Sequence, residues 1–215
     1  MPQTVLIEAR QEWHAAWRIR DFRIKMIIGL ILVIATLSSF PSFFQRIQRR
    51  NGAHLYDPIL RWLPAHDVSI PLFIMIWTLS LLALFRAFQN PRILLIFCWS
   101  YFLLSALREV TIALVPLDPP ANLIGLVDPL SNFFYGPKFV TKDLFPSGHT
   151  ATVFLLFFCL PGKGDRRIAL IITFGVAFLL LVQHVHYTLD VLGGFLYGWF
   201  AWWLVTRTVT RDYPA

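Results

Sequence analysis

His186-Tyr187-Thr188-Leu189-Asp190-Val191 stands at the junction of two apolar runs, residues 168–184 and 189–206. Reading those runs decides the fold. Each is near the length a helix needs to cross the hydrocarbon core of a bilayer. Working outward, four more apolar runs come earlier, at 24–44, 69–88, 93–115 and 147–160. The 215-residue chain is 57% hydrophobic and only 14% charged, whereas a soluble domain carries about a quarter charged residues. The expected architecture is all-α: a polytopic membrane protein with six transmembrane helices.

The formal net charge is +7, which in a soluble chain would suggest nucleic acid. Here the basic residues fall in the connections between apolar runs, where they set orientation, and no nucleic-acid partner is expected. Lys and Arg are more numerous around the N-terminus, the two short turns at 86–92 and 161–167, and the C-terminus than on the opposite side. Both termini are therefore expected in the cytoplasm. The ends of spans three and five and the starts of spans four and six then lie on the periplasmic, extracellular or lumenal face, beside the longest connection, residues 116–146.

Three parts follow from this division. Residues 1–23 form a basic cytoplasmic stretch in which Leu6, Trp13 and Trp17 recur at helical spacing, so it reads as an interfacial helix or a solvated basic tail. Residues 24–206 form the six-span catalytic domain, and residues 207–215 a cytoplasmic tail. Cys98 and Cys159 lie inside apolar runs, and free, inert thiols are expected. Trp199, Trp202 and Trp203 read as interface anchors. The aromatic segment 132–137 reads as part of an aromatic belt or as a lid over a lipid headgroup.

Three separated segments bring reactive side chains to one membrane depth. His186 and Asp190 are four apart and share a helix face, so the carboxylate can orient the imidazole. Ser147-Gly148-His149-Thr150 follows Pro146. Ser147 can cap span four, Gly148 lets a ligand approach the backbone, and free amides at a helix start attract phosphate. Arg108 and Thr111 share a face near the outer end of span three, where a guanidinium suits bidentate binding of phosphate oxygens. Each segment alone also has an ordinary reading: a capped helix, a satisfied polar histidine, an arginine reaching the headgroups. His184 and His186 form a His-x-His pair, but no third and fourth ligand is spaced for zinc. No metal and no cofactor is expected.

Ser147-Gly148-His149-Thr150 together with His186-Tyr187-Thr188-Leu189-Asp190-Val191 resembles the type 2 phosphatidic acid phosphatase superfamily of lipid phosphatases and phosphotransferases. The closer likeness is to its sphingomyelin synthase branch. There, as with Asp143 here, an Asp stands four residues before Ser-Gly-His-Thr, and the second motif differs only at Leu189. An Arg-x-x-Thr element on span three is similar to Arg108 and Thr111. The Lys/Arg-Pro motif of the phosphatases, and their Arg upstream of the second His, are absent. Residues 56–64 bear a loose likeness to the proline-rich motif after the synthase's first span.

The resemblance implies a lipid phosphotransferase or phosphohydrolase. His186 would attack phosphorus and form a phosphohistidine, Asp190 would orient it, and His149 would serve as acid and then base. Arg108, Thr111, Ser147, Gly148, Asp143 and Lys142 are the candidates for phosphate or headgroup binding. Asp143 would contact a cationic headgroup or brace His149, and Glu109 would act behind the site or sit on the helix surface. The expected partners are a phospholipid and an acceptor, either a lipid alcohol (sphingomyelin synthase-like transfer of phosphocholine or phosphoethanolamine) or water (a phospholipase C-like reaction). Two alternatives stand beside this: a lipid phosphate phosphatase acting on phosphatidic acid or a related phosphomonoester or pyrophosphate lipid, and a non-catalytic membrane lipid-binding protein.

Overall fold

The polar residues that interrupt the apolar runs also start the helices. In the computed structural model, which describes residues 3–126 and 140–213, the helices are α1 Gln3–Arg18, α2 Arg20–Gln48, α3 Pro58–Trp62, α4 Ser69–Gln89, α5 Pro91–Leu114, α6 Gly148–Cys159, α7 Lys163–Val182 and α8 Thr188–Arg207. Asn90 caps α5 by accepting the Arg92 amide at 3.0 Å, with Pro91 in the first helical position, where its missing N–H costs nothing. Asp57 caps α3 in the same way ahead of Pro58, and Ser147 caps α6. No strand occurs among the described residues; Ala53 and Leu117 form one isolated bridge.

Four helices, α2, α4, α5 and α8, are long and apolar enough to cross a membrane, and α6 is a shorter apolar helix. These elements mark a membrane-embedded protein. Ile31 and Ile34 on α2, Leu81 and Leu84 on α4, and Ile171 and Phe174 on α7 are all exposed. Such a continuous apolar exterior is stable only against lipid.

The helix α6 lies at the centre. None of its 12 residues is exposed; it packs against α5 and α8 through Ala151, Leu155 and Cys159, and against α7 through Val153 and Leu156. Its contact with α8 depends on Gly194 and Gly198, one turn apart. A Cβ at Gly194 would lie 2.9 Å from the Ser147 carbonyl oxygen, and one at Gly198 would lie 2.7 Å from that of Ala151. Small residues at this spacing let two helix backbones approach closely.

The expectation that all six runs are near bilayer length is corrected at α6. Twelve residues rise only about 18 Å. Pro146 and the Ser147 cap set its start, and Pro161-Gly162 ends it. A helix enclosed by other helices need not match the thickness of the lipid. The helix α2 departs in the other direction, running 29 residues and passing through Pro41.

At the far end from the junction, α1 is held to α4 by the Trp13 indole N–H, which donates to the Phe88 carbonyl at 2.8 Å. Among the tryptophans, Trp199 is exposed while Trp202 turns inward and stacks on Phe158 at 4.6 Å. The inward position of Trp202 corrects its reading as an interface anchor. Both cysteines are buried and free. The lid expected at 132–137 and the last two residues of the tail lie outside the described residues.

Candidate active site

The junction between α7 and α8 is a tight turn in which His184 adopts a left-handed backbone, φ 55°. Asp190 falls in the first turn of α8, where a carboxylate is favoured by the helix dipole. Its Oδ2 accepts the Tyr187 amide at 2.9 Å and faces His186 Nδ1 at 3.3 Å. His186 is 2% exposed and Asp190 fully buried. The two side chains meet as the spacing of four leads one to expect, but His186 precedes α8, so the contact spans the helix start and does not lie along one helix face. Among the described residues the other ring nitrogen of His186 has no hydrogen-bond partner, and neither has Asp190 Oδ1.

The start of α6 is fastened to that pair. The Ser147 amide donates to the Asp190 carbonyl at 2.9 Å. Ser147 is fully buried. Its hydroxyl faces the Thr150 amide at 3.4 Å, a long cap contact. His149 projects from the same first turn, half-buried, with its ring edge-on to Phe73 at 6.3 Å.

Arg108 joins the two from α5. It is 8% exposed; Nε donates to the Pro146 carbonyl at 3.0 Å and Nη2 to Asp143 at 2.7 Å. Its guanidinium lies against Gly148, where an added Cβ would meet three guanidinium atoms at 2.6 Å. A larger residue at 148 would have to displace the guanidinium, so the glycine serves the close approach of the arginine, a different cause from ligand access. Arg108, Asp143, Pro146, Ser147, Gly148, Asp190 and His186 form one connected set.

Other candidates are engaged elsewhere. Thr111 donates to the Leu107 carbonyl and shares a 2.8 Å hydrogen bond with the Tyr197 hydroxyl, tying α5 to α8. Lys142 pairs with Asp118 at 2.6 Å and also donates to the Arg50 carbonyl, so its ammonium serves the loop. The Lys142 ammonium holds the Asp118 carboxyl below its ordinary range, with help from the Gly52 amide. Glu109 accepts from Ser39 at 2.8 Å and joins α5 to α2. His184 Nε2 contacts the Leu63 carbonyl at 2.8 Å. No cluster of three or more His, Cys, Asp or Glu among the described residues is arranged to hold a metal.

Reading by motif missed residues on the α2–α4 connection. Asp57 accepts from both the amide and the hydroxyl of Thr188, at 2.6 and 3.1 Å. Burial works against its charge, yet the Thr188 amide, with the Leu60 and Ile59 amides and the Thr188 hydroxyl, holds the carboxyl below its ordinary value. A cavity of about 360 Å³ opens beside this contact, lined among others by His54, Tyr56, Asp57, Arg61, His184 and Tyr187. The sequence signal was the Asp57-Pro58 pair, a helix start with no evident partner. Gln183 was likewise missed; it is fully buried and donates to the Ser69 hydroxyl at 2.8 Å.

Comparison with known families matches residues 93–214 to the PAP2 superfamily, a segment that contains Arg108 and both motifs. No curated protein and no solved structure matches the chain.

Proposed function

The chain belongs to the PAP2 superfamily, and on that premise we propose that it is an integral-membrane lipid phosphotransferase or phosphohydrolase of the sphingomyelin synthase-like kind. Membership implies phosphatase or phosphotransferase activity on phosphate esters. The finer reading is carried by one observation: the Ser147 amide bonds to Asp190, so the two histidine motifs start their helices side by side.

In the proposed reaction the unprotonated His186 Nε2 attacks phosphorus while Nδ1–H donates to Asp190. The bond from phosphorus to the diacylglycerol oxygen breaks, and that oxygen takes a proton from His149. This leaves a phosphohistidine and a neutral His149, which then removes the proton of the acceptor hydroxyl as its oxygen attacks phosphorus and the bond from phosphorus to His186 Nε2 breaks, returning both histidines to their starting states. Arg108 Nη1 and the first amides of α6 are the partners proposed for the phosphoryl oxygens.

The charge around Arg108 favours a diester with a cationic headgroup. Asp143 neutralises the guanidinium, and Lys142 is spent on Asp118. A phosphomonoester dianion would call for more positive charge. The proposed topology has six spans, with α6 and α7 joining the four helices that are long and apolar enough to cross a membrane, α1 on the cytoplasmic surface, both termini cytoplasmic, and the site on the outer face.

Purified protein given labelled phosphatidylcholine, phosphatidylethanolamine and phosphatidic acid, with and without ceramide, tests this. Headgroup transfer to ceramide, or release of phosphocholine to water, is expected, together with an acid-labile phosphoryl adduct that His186→Asn abolishes. Inorganic phosphate released from phosphatidic acid alone would overturn the diester reading. Full activity in His186→Asn would overturn the catalytic one.

A further inference from the structure

The connection between α2 and α4 is bonded along its length to the turn that carries the second motif. The Leu55 amide donates to the Tyr187 hydroxyl at 3.3 Å, the Leu63 carbonyl meets His184 Nε2 at 2.8 Å, and the His66 amide donates to the Val182 carbonyl at 3.0 Å. The Val68 amide donates to Gln183 Oε1 at 3.3 Å. All of this connection lies outside the segment matched to the family, residues 93–214. Within it, Asp57 reaches the first residue of α8, which lies between His186 and Asp190.

Four donors converge on the Asp57 carboxylate. Oδ1 accepts the Ile59 and Leu60 amides that start α3, and also the Thr188 hydroxyl, while Oδ2 accepts the Thr188 amide at 2.6 Å. Thr188 is the first residue of α8, and its amide has no partner inside that helix. It lies two residues after His186 and two before Asp190. The 3.3 Å reach between those two side chains therefore depends on the backbone that Asp57 holds.

We propose that Asp57 is a positioning residue for the chemistry at His186: by pinning Thr188 it sets the geometry of the His186–Asp190 pair. The proposal rests on the reading of His186 as nucleophile. It extends the functional unit beyond the family-matched segment, because the clamp is supplied from the α2–α4 connection.

The test measures hydrolysis of labelled phosphatidylcholine by the full-length protein in detergent, with folded protein quantified by thermal melting. Asp57→Asn places an N–H donor against one of the present donors. It is expected to lower kcat about 10- to 100-fold with KM within about twofold, since a displaced nucleophile loses rate more than binding. Thr188→Pro removes the same bond from the other side. Proline is well tolerated at a first helical position, and Tyr187 already has the extended backbone that a following proline demands. It is expected to show the same loss in kcat. Wild-type kcat per folded molecule in either variant, a rise in KM with kcat unchanged, or failure of both variants to fold would overturn the proposal. His186→Asn separates the two readings. Full activity there overturns the nucleophile assignment itself, whereas loss there with wild-type kcat in Asp57→Asn overturns only the role of Asp57.

Discussion

The guanidinium of Arg108 rests on the Cα of Gly148, so close that a Cβ there would lie 2.6 Å from its Cζ and both terminal nitrogens. The contact brings α5 onto the start of α6 and leaves the arginine beside the first free amides of that helix. Through Ser147 and Asp190 it continues into α8.

Gly148→Ala is accordingly expected to expel Arg108 from its seat. Overpacking of this kind costs about 1–3 kcal/mol, and the loss of the arginine's position should lower activity further than it lowers stability. Thermal melting and phosphatidylcholine turnover, measured on the same preparation, check this.

Arg108→Lys keeps the charge but not the fork. A single ammonium cannot donate to the Pro146 carbonyl and Asp143 in the present geometry while leaving a third nitrogen for phosphate. Turnover is expected to fall at least about tenfold, the loss of one charge-assisted contact. Near-wild-type turnover would remove Arg108 from the phosphate site.

Gly198 and Gly164 form a matched pair. A methyl at Gly198 meets the Ala151 carbonyl oxygen at 2.7 Å, whereas one at Gly164 meets nothing within 4 Å. Gly198→Ala should lower the melting temperature by separating α6 from α8. Gly164→Ala should be neutral or stabilising by up to about 1 kcal/mol, through lower chain entropy in the unfolded state. Equal melting temperatures for both variants would contradict the packing described.

Asp57 sets a pH dependence. Against the effect of burial, its carboxyl is held below the ordinary aspartate value of 3.8 in the folded protein by the Thr188, Leu60 and Ile59 donors. The carboxylate's contribution is then fully present above 3.8 and is lost as the pH falls through the lower, folded value. Wild type should melt higher than Asp57→Asn at neutral pH, and the two curves should converge only below 3.8. A constant difference at every pH would show that the charge of Asp57 does not contribute.

The sequence alone determined the class and the local parts. Apolar runs of bilayer length made it an all-α membrane protein. The Ser147 cap marked the start of α6, and the spacing of His186 and Asp190 placed both at one helix start. These are local properties, set by residues within a turn or two of one another. Only the tertiary structure decided which charges meet. The pattern ranks Lys142 below Arg108 as a phosphate partner but does not say what occupies it; the ammonium is taken by Asp118, while the guanidinium sits against Gly148. Nothing near Asp57 in the sequence points to Thr188, 131 residues away. Periodicity shows which face of a helix is apolar but not which neighbour covers it. That choice depends on close packing, such as Gly198 against Ala151, and it fixed how the junction at His186 is held.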